Sequence, residues 1–104
     1  MNTEFVNESV NGIRRVGAIN GQSEYILWQQ DASGAIHFEC GTQQNSGYGI
    51  VSEVTVDRYG CHLVVDSQIV SFYWHPPRAS GLAIFIQGLQ ELYEETPEVV
   101  EMLL

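Results

Sequence analysis

The chain has 104 residues, 44% of them apolar, and its 13 acidic and 4 basic side chains give a formal net charge of −9. This length and apolar content fit one folded domain and exclude compositional disorder. Nucleic acids and anionic membranes are bound by clustered basic side chains. The chain has four arginines and no lysine. We therefore expect neither a nucleic-acid nor a membrane partner.

The N-terminal segment, residues 1–12 (MNTEFVNESVNG), is polar and lacks the apolar run of a secretory signal peptide. Elsewhere, no stretch approaches the roughly 18 to 20 apolar residues of a membrane span. We expect a cytoplasmic protein that forms a single domain over residues 1–104, with residues 1–12 as a flexible segment. Cys40 and Cys61 are expected to be free thiols, because a disulfide scaffold of this size would need more cysteines.

Short runs rich in β-branched and aromatic residues alternate with turn residues along most of the chain. The runs that predict strands are 13–19, 24–30, 35–40, 50–56, 61–66 and 69–75. Separated by Gly, Asp and Asn, they predict an antiparallel meander sheet of about six strands. In the last run, alternation places Val70, Phe72 and Trp74 on the core face. Tyr73 and His75 fall on the opposite face.

The apolar period changes after the prolines of the HPPR segment, which end the sheet. Residues 82–93 show helical spacing, with Ser80 as the N-cap, while AIFI at residues 83–86 also fits a last strand, so the helix start stays open. Gly88 lies inside this helix, where glycine costs about 1 kcal/mol relative to alanine. Thr96 and Pro97 indicate the start of a second helix. Sheet first and helix last predicts an α+β fold, with one or two C-terminal helices packed on one face of the sheet.

The glycine-rich stretch ECGTQQNSGYGI, residues 39–50, is the place where a phosphate-binding loop would be sought. Such a loop needs glycines at fixed spacing, a helix directly behind them and usually a lysine. Here residues 50–56 predict a strand, and lysine is absent. We interpret residues 41–49 as a loop between two strands, with Tyr48 as a contact residue for a partner.

Metal binding and nucleophilic catalysis have no motif in this sequence. His37 and Glu39 fall on one face of a predicted strand and Cys40 on the other, while the neighbours Cys61 and His62 are split in the same way. Neither a GxSxG elbow nor a cysteine-protease motif is present. The possibility stays open that the fold assembles a catalytic triad of a serine, a histidine and a carboxylate from residues distant in sequence. We expect no enzyme, no metal and no cofactor.

Exposed aromatic and acidic residues are the candidates for a partner-binding surface, because Tyr and Arg are enriched in binding hot spots. The C-terminal run QELYEETPEVVEMLL carries glutamates and no basic residue. Like charges three or four apart slightly destabilise a helix, so these glutamates form either an acidic docking face or an ordinary solvated face, and both interpretations stay open. The candidate residues are Tyr48, Asp57, Asp66, Tyr73, His75, Arg78, Glu91, Glu94, Glu95 and Glu98.

The stretch GYGIVSEVTVDRYGCHLVVD, residues 47–66, the aromatic strand after it and GLAIFIQGLQELY, residues 81–93, resemble the Immunity protein 10 family. This likeness covers roughly residues 36–93 and consists in the order of strands and turns. The resemblance implies a cytosolic bacterial protein that neutralises a toxin by tight binding, without catalytic residues. For a nuclease toxin, a carboxylate-rich surface would mimic the phosphate backbone.

Two other function classes stay open. One is a small structural or homo-oligomerising subunit, for example a homodimer through an exposed sheet edge or the apolar C-terminus VVEMLL. The other is a small ligand-binding or enzyme domain, which would need a pocket lined by His37, His62 or His75. The leading expectation is a protein-binding domain whose partner is a basic protein, with a toxin domain as the candidate.

Overall fold

The computed structural model describes residues 2–21, 23–42, 45–77 and 79–104. Its strands are β1 Glu4–Val10, β2 Ile13–Asn20, β3 Glu24–Gln30, β4 Ile36–Gly41, β5 Ser46–Gly49, β6 Val51–Asp57, β7 Gly60–Val65, β8 Gln68–Tyr73 and β9 Val100–Leu103. Helix α1 spans Leu82–Leu92 and a 3₁₀ turn covers Pro97–Val99. Sheet 1 has the order β1-β2-β3-β4-β5 and sheet 2 the order β8-β7-β6-β9. The α+β class and the mainly antiparallel pairing are confirmed, whereas the number of strands and the C-terminal elements differ from the prediction.

Strand β1 corrects the flexible segment expected at residues 1–12. It pairs antiparallel with β2 along its length, and Val10 lies opposite Ile13 at the turn. The two turn residues, Asn11 and Gly12, have positive φ angles of 54° and 79°. An Asn-Gly pair in this conformation matches the twist of a two-residue hairpin. The strand escaped the prediction because it is mostly polar, so the turn and the backbone ladder define it rather than apolar alternation.

The glycine-rich stretch contains a strand as well as a turn. Strand β5 pairs antiparallel with β4, with Tyr48 opposite Glu39. Gln43 and Gln44 of the predicted loop 41–49 lie outside the described residues. The β5 strand escaped the prediction because it contains two glycines and so shows little strand periodicity.

Helix α1 packs its apolar face against aromatic residues from both sheets. Phe85, Leu89 and Leu92 are buried on this face. The Phe85 ring lies 5.9 Å from Trp28 of β3 and 5.5 Å from Trp74, the residue after β8. One helix side chain thus contacts both halves of the sheet structure, and the predicted core positions of Trp74 and the helix face are confirmed.

The start of α1 differs from the prediction at its cap. Ser80 was the expected N-cap, but the N-cap is Gly81, which has a φ of 93° and makes no side-chain hydrogen bond. Glycine adopts this left-handed conformation without the steric cost that a side chain would bring. The chain therefore turns into the helix through backbone conformation rather than through a capping hydroxyl.

The C-terminal segment forms a 3₁₀ turn and a strand where a second helix was predicted. Pro97 begins the turn, and Thr96 before it makes no side-chain cap. Strand β9 then pairs parallel with β6, with Val100 opposite Val54. Val100 and Met102 are partly buried against the core. The helix prediction was wrong because the edge of β6, distant in sequence, offers this segment a partner that local spacing does not reveal.

Hydrogen bonds near the N-terminus join the two sheets. The Thr3 amide donates to the His75 carbonyl at 2.8 Å, and the His75 amide donates to Thr3 Oγ1 at 2.7 Å. Asn20 Nδ2 donates to the Tyr73 carbonyl at 2.8 Å. Thr3 and Asn20 are both buried. The end of β8 is therefore held against the start of β1.

Candidate functional site

A cleft of about 380 Å³ lies between the C-terminal end of α1 and the turn that joins β3 to β4. The turn side of this acidic cleft is formed by Gln30, Ser33 and Gly34. The opposite side carries Glu91, Glu94 and Glu95, all of them predicted partner-binding residues. The fold therefore brings these three glutamates together in one concave place.

Asp31 organises the turn at the edge of the acidic cleft. Its Oδ1 accepts hydrogen bonds from the Ser33 hydroxyl at 2.5 Å, the Ser33 amide at 2.9 Å and the Ala35 amide at 3.1 Å. Its Oδ2 lies 3.2 Å from His37 Nε2. The hydrogen bonds from the Ser33 side chain and from His37 are the main causes that lower the pKa of Asp31 to about 2. The turn therefore keeps an ionised carboxylate at neutral pH.

The helix side of the cleft carries three carboxylates in two different settings. Glu91 forms an ion pair with Arg14 of β2 and accepts a hydrogen bond of 3.1 Å from Gln87 Nε2. Glu94 and Glu95 come just after Tyr93, the C-cap of α1, and are exposed. Within the part of the chain that the structure describes, no basic side chain pairs with either of them. They also lie at the negative end of the helix dipole, which raises the free energy of uncompensated negative charge there.

Tyr48 lies elsewhere, on the outer face of sheet 1. It is 83% exposed and borders a cavity of about 320 Å³ together with Leu27, His37 and Glu39. The Tyr25 hydroxyl donates to Glu39 Oε2 at 2.9 Å, and this hydrogen bond is the first cause of a raised pKa for Tyr25. Tyr48 is therefore accessible to a partner, as predicted, but it lines a different cavity from the acidic cleft.

Asp57 and Tyr73 lie on sheet 2, around a chain of contacts, Asp57–His62–Ser71, that sequence reasoning missed. Asp57 Oδ2 lies 3.3 Å from His62 Nε2, and His62 Nδ1 lies 2.9 Å from Ser71 Oγ. The Tyr73 ring stands edge-on to His62, with centroids 5.7 Å apart. The amides of Tyr59 and Gly60 donate to Asp57 Oδ1 at 2.7 and 2.9 Å. Burial alone would raise the pKa of Asp57, but these amides and His62 outweigh it and lower the pKa.

The turn between β7 and β8 sets the register that joins His62 to Ser71. Asp66 and Ser67 have positive φ angles of 49° and 69° and form a two-residue hairpin turn. His62 and Ser71 lie at equal distances on either side of that turn and therefore face each other. The Asp-Ser pair between two apolar runs is the sequence signal that could have revealed this contact.

The remaining predicted residues have local structural roles or lie apart from the cleft. Asp66 Oδ1 accepts the Ile50 amide at 3.0 Å and so holds the bend between β5 and β6. His75 is exposed at the end of sheet 2. Glu98 is exposed in the 3₁₀ turn, outside the lining of the cleft. Arg78 lies outside the described residues.

The cysteines are core residues. Cys40 and Cys61 are buried free thiols, and burial, followed by the charge of Glu39 or Asp57, raises the pKa of each. Among the described residues, no group of three or more His, Cys, Asp or Glu side chains lies in a metal-binding arrangement. In the same part of the chain, no helix is long and apolar enough to cross a membrane.

Comparison with known proteins identifies no relative of this chain. No protein-family model matches the chain, and no curated protein or solved structure is similar to it.

Proposed function

We propose that this chain is a protein-binding domain that neutralises a basic partner by covering it, as a cytosolic bacterial immunity protein neutralises a toxin. The observation that supports this proposal is the acidic cleft, where Glu91, Glu94 and Glu95 face the β3–β4 turn. Binding by occlusion needs shape and charge from this chain, and no chemistry. For a nuclease toxin, the carboxylates would take the place of substrate phosphates.

The size of the acidic cleft suits a side chain of a partner rather than a whole domain. Its volume of about 380 Å³ is near the lower end of the roughly 300–1,000 Å³ typical of ligand pockets. Glu94 and Glu95 provide two adjacent carboxylates, while Arg14 already compensates Glu91. A guanidinium group presents a planar set of donors that matches carboxylates, which favours arginine over lysine as the inserted residue.

The charge of the whole chain supports the same partner. With a net charge of −9, the chain attracts a basic protein from a distance and speeds the encounter. This long-range attraction weakens as salt shortens the screening length to about 8 Å at physiological ionic strength. A complex held by the cleft should therefore form more slowly at high salt.

A paired capture experiment tests this function. The tagged chain and a Glu94→Lys/Glu95→Lys variant are used to retain proteins from the native cells at low and high salt. A Glu53→Lys/Glu101→Lys variant, altered at exposed positions of sheet 2, is the control with the same change in net charge. We expect one basic protein on the wild-type chain and the control, and its loss from the cleft variant. Equal loss from both variants would show that net charge, and not the cleft, determines binding.

Self-association is a second candidate, supported by the C-terminal edge of sheet 2. Strand β9 is the last strand of this sheet, and Leu103 and Leu104 are 56% and 63% exposed. An edge strand with exposed apolar residues is a template for pairing with a second copy. Sedimentation velocity over a range of concentrations tests this function: a dimer that Leu103→Glu dissociates supports it, and a monomer at all concentrations contradicts it.

A further inference from the structure

The Asp57–His62–Ser71 chain has the connectivity of an activated serine. Asp57 Oδ2 lies within ion-pair distance of His62 Nε2, at 3.3 Å, and an ionised carboxylate, which can only accept, favours a proton on that nitrogen. In the neutral ring, Nδ1 is then an acceptor, and it lies 2.9 Å from Ser71 Oγ. A base that is oriented by a carboxylate and bonded to a hydroxyl is the arrangement that nucleophilic catalysis requires.

The backbone of β8 adds a donor beside this hydroxyl. The Trp74 amide points toward the β7 side, where it donates to the Tyr59 carbonyl, and the His75 amide points to the opposite side, to Thr3. Because successive amides of a strand alternate, the Ser71 amide points to the same side as that of His75, off the edge of sheet 2. A backbone N–H next to the nucleophile is the kind of group that stabilises a developing oxyanion.

The same alternation explains why the two side chains meet. The Trp74 amide donates to the Tyr59 carbonyl, so the next pair of the β7–β8 ladder, Tyr73–Gly60, is of the non-hydrogen-bonded type. Two positions along, the pair of Ser71 and His62 is then of the same type. In such pairs the Cα atoms are about 4.5 Å apart and the side chains are at their closest.

We propose that Ser71 is a nucleophile that accepts acyl groups from small esters, with His62 as its general base and Asp57 as the residue that positions His62. Ser71 Oγ forms a bond to the ester carbonyl carbon while its proton passes to His62 Nδ1. The bond to the alcohol oxygen breaks, and His62 returns the proton to the departing alkoxide. Water then attacks the acyl-serine carbonyl while one of its protons passes to His62. The bond to Oγ breaks as His62 returns that proton to Oγ, and the carboxylic acid leaves.

The surroundings of Ser71 define the class of ester. Asp57, Glu53 and Glu101 make the outer face of sheet 2 acidic, which disfavours anionic substrates. The Tyr73 ring, 54% exposed, stands beside His62 and offers an apolar surface to an acyl or alkyl group. The site would therefore take a neutral or cationic ester with a small acyl group.

A fluorophosphonate probe tests the nucleophile directly. Attack of Ser71 Oγ on phosphorus expels fluoride and leaves a covalent adduct that intact-mass spectrometry counts. We expect one adduct on the wild-type chain, none on Ser71→Ala, and a rate about 100-fold or more lower on His62→Gln. Hydrolysis of p-nitrophenyl acetate should follow the same order.

Matched variants separate this site from general serine or histidine reactivity. Ser52→Ala removes a hydroxyl of β6 that bonds to the Val64 carbonyl instead of a histidine. His37→Gln removes a histidine that contacts Asp31 in a similar way. Both should be labelled like the wild type, with folding checked by circular dichroism. Absence of any adduct on the wild-type chain, or an adduct that persists on folded Ser71→Ala, would overturn the proposal.

Discussion

Arg14 on β2 forms an ion pair with Glu91 on α1 and donates a hydrogen bond of 2.9 Å to Asn7 on β1. Asn7 in turn donates to the Ile84 carbonyl of the helix at 3.0 Å. The Asn7 contact ties the start of α1 to sheet 1, and the Glu91 contact ties the end of α1 that borders the acidic cleft. Glu91 thus has a structural part in the cleft, which leaves Glu94 and Glu95 as the carboxylates available to a partner.

Replacing Glu91 should therefore affect stability more than replacing its neighbours. Glu91→Gln removes the charge that compensates Arg14, whose side chain is 26% exposed, and should lower the free energy of unfolding by about 1 kcal/mol. Glu94→Gln, at an exposed position, should change it by less than about 0.5 kcal/mol. Urea unfolding at pH 7 measures both, and equal values would contradict the structural part assigned to Glu91.

Gly88 is predicted to be required by packing, although it weakens the helix. A Cβ there would lie 2.9 Å from both Val16 methyl carbons, so Gly88→Ala should destabilise the fold by about 1–3 kcal/mol despite the better helix propensity of alanine. Gln90→Ala, at an exposed position of the same helix, is the control and should be near neutral. Thermal unfolding decides the point, since a rise in melting temperature for Gly88→Ala would show that the helix can shift away from β2.

The pH dependence of stability should report on Asp31. Its pKa is lowered to about 2 in the folded chain, against about 3.9 for an unfolded aspartate, so its contribution is complete above about pH 4 and is lost as the pH falls toward 2. Asp31→Asn should be less stable than the wild type at pH 7, and the difference should shrink between pH 4 and 2. Urea unfolding of both proteins across this range measures it; a constant difference would contradict the assignment.

The elements that the sequence predicts well are those defined by local pattern. The strands of residues 24–30 and 61–66 and the helix over 82–93 combine apolar periodicity with clear turn residues, and the structure contains each of them close to its predicted bounds. Strand β9 could not be found in this way, because its partner β6 is more than forty residues away along the chain and the pairing is parallel. Local spacing carries no information about such a partner.

The candidate sites also divide into features set by local sequence and features set by tertiary packing. The contact of His62 with Ser71 follows from a hairpin turn whose two residues are Asp66 and Ser67. Recognising these two residues as a turn in the sequence would have predicted the contact. The acidic cleft depends on how α1 docks against β1 and β2, which is set by tertiary packing at Gly88. The spacing of the glutamates alone therefore could not show that Glu94 would line the acidic cleft while Glu98 would lie outside it.

We expect the acidic cleft to bind a basic side chain, and an NMR titration tests this binding without knowledge of the partner. Acetyl-Arg-Arg-Arg-amide is added to the ¹⁵N-labelled chain at low salt, with Glu94→Gln/Glu95→Gln and Glu53→Gln/Glu101→Gln variants alongside. We predict amide shifts concentrated at residues 33–36 and 91–96, retained in the sheet 2 variant, lost in the cleft variant and reduced by salt. Shifts spread over all exposed carboxylates, or unchanged in the cleft variant, would contradict binding in the acidic cleft.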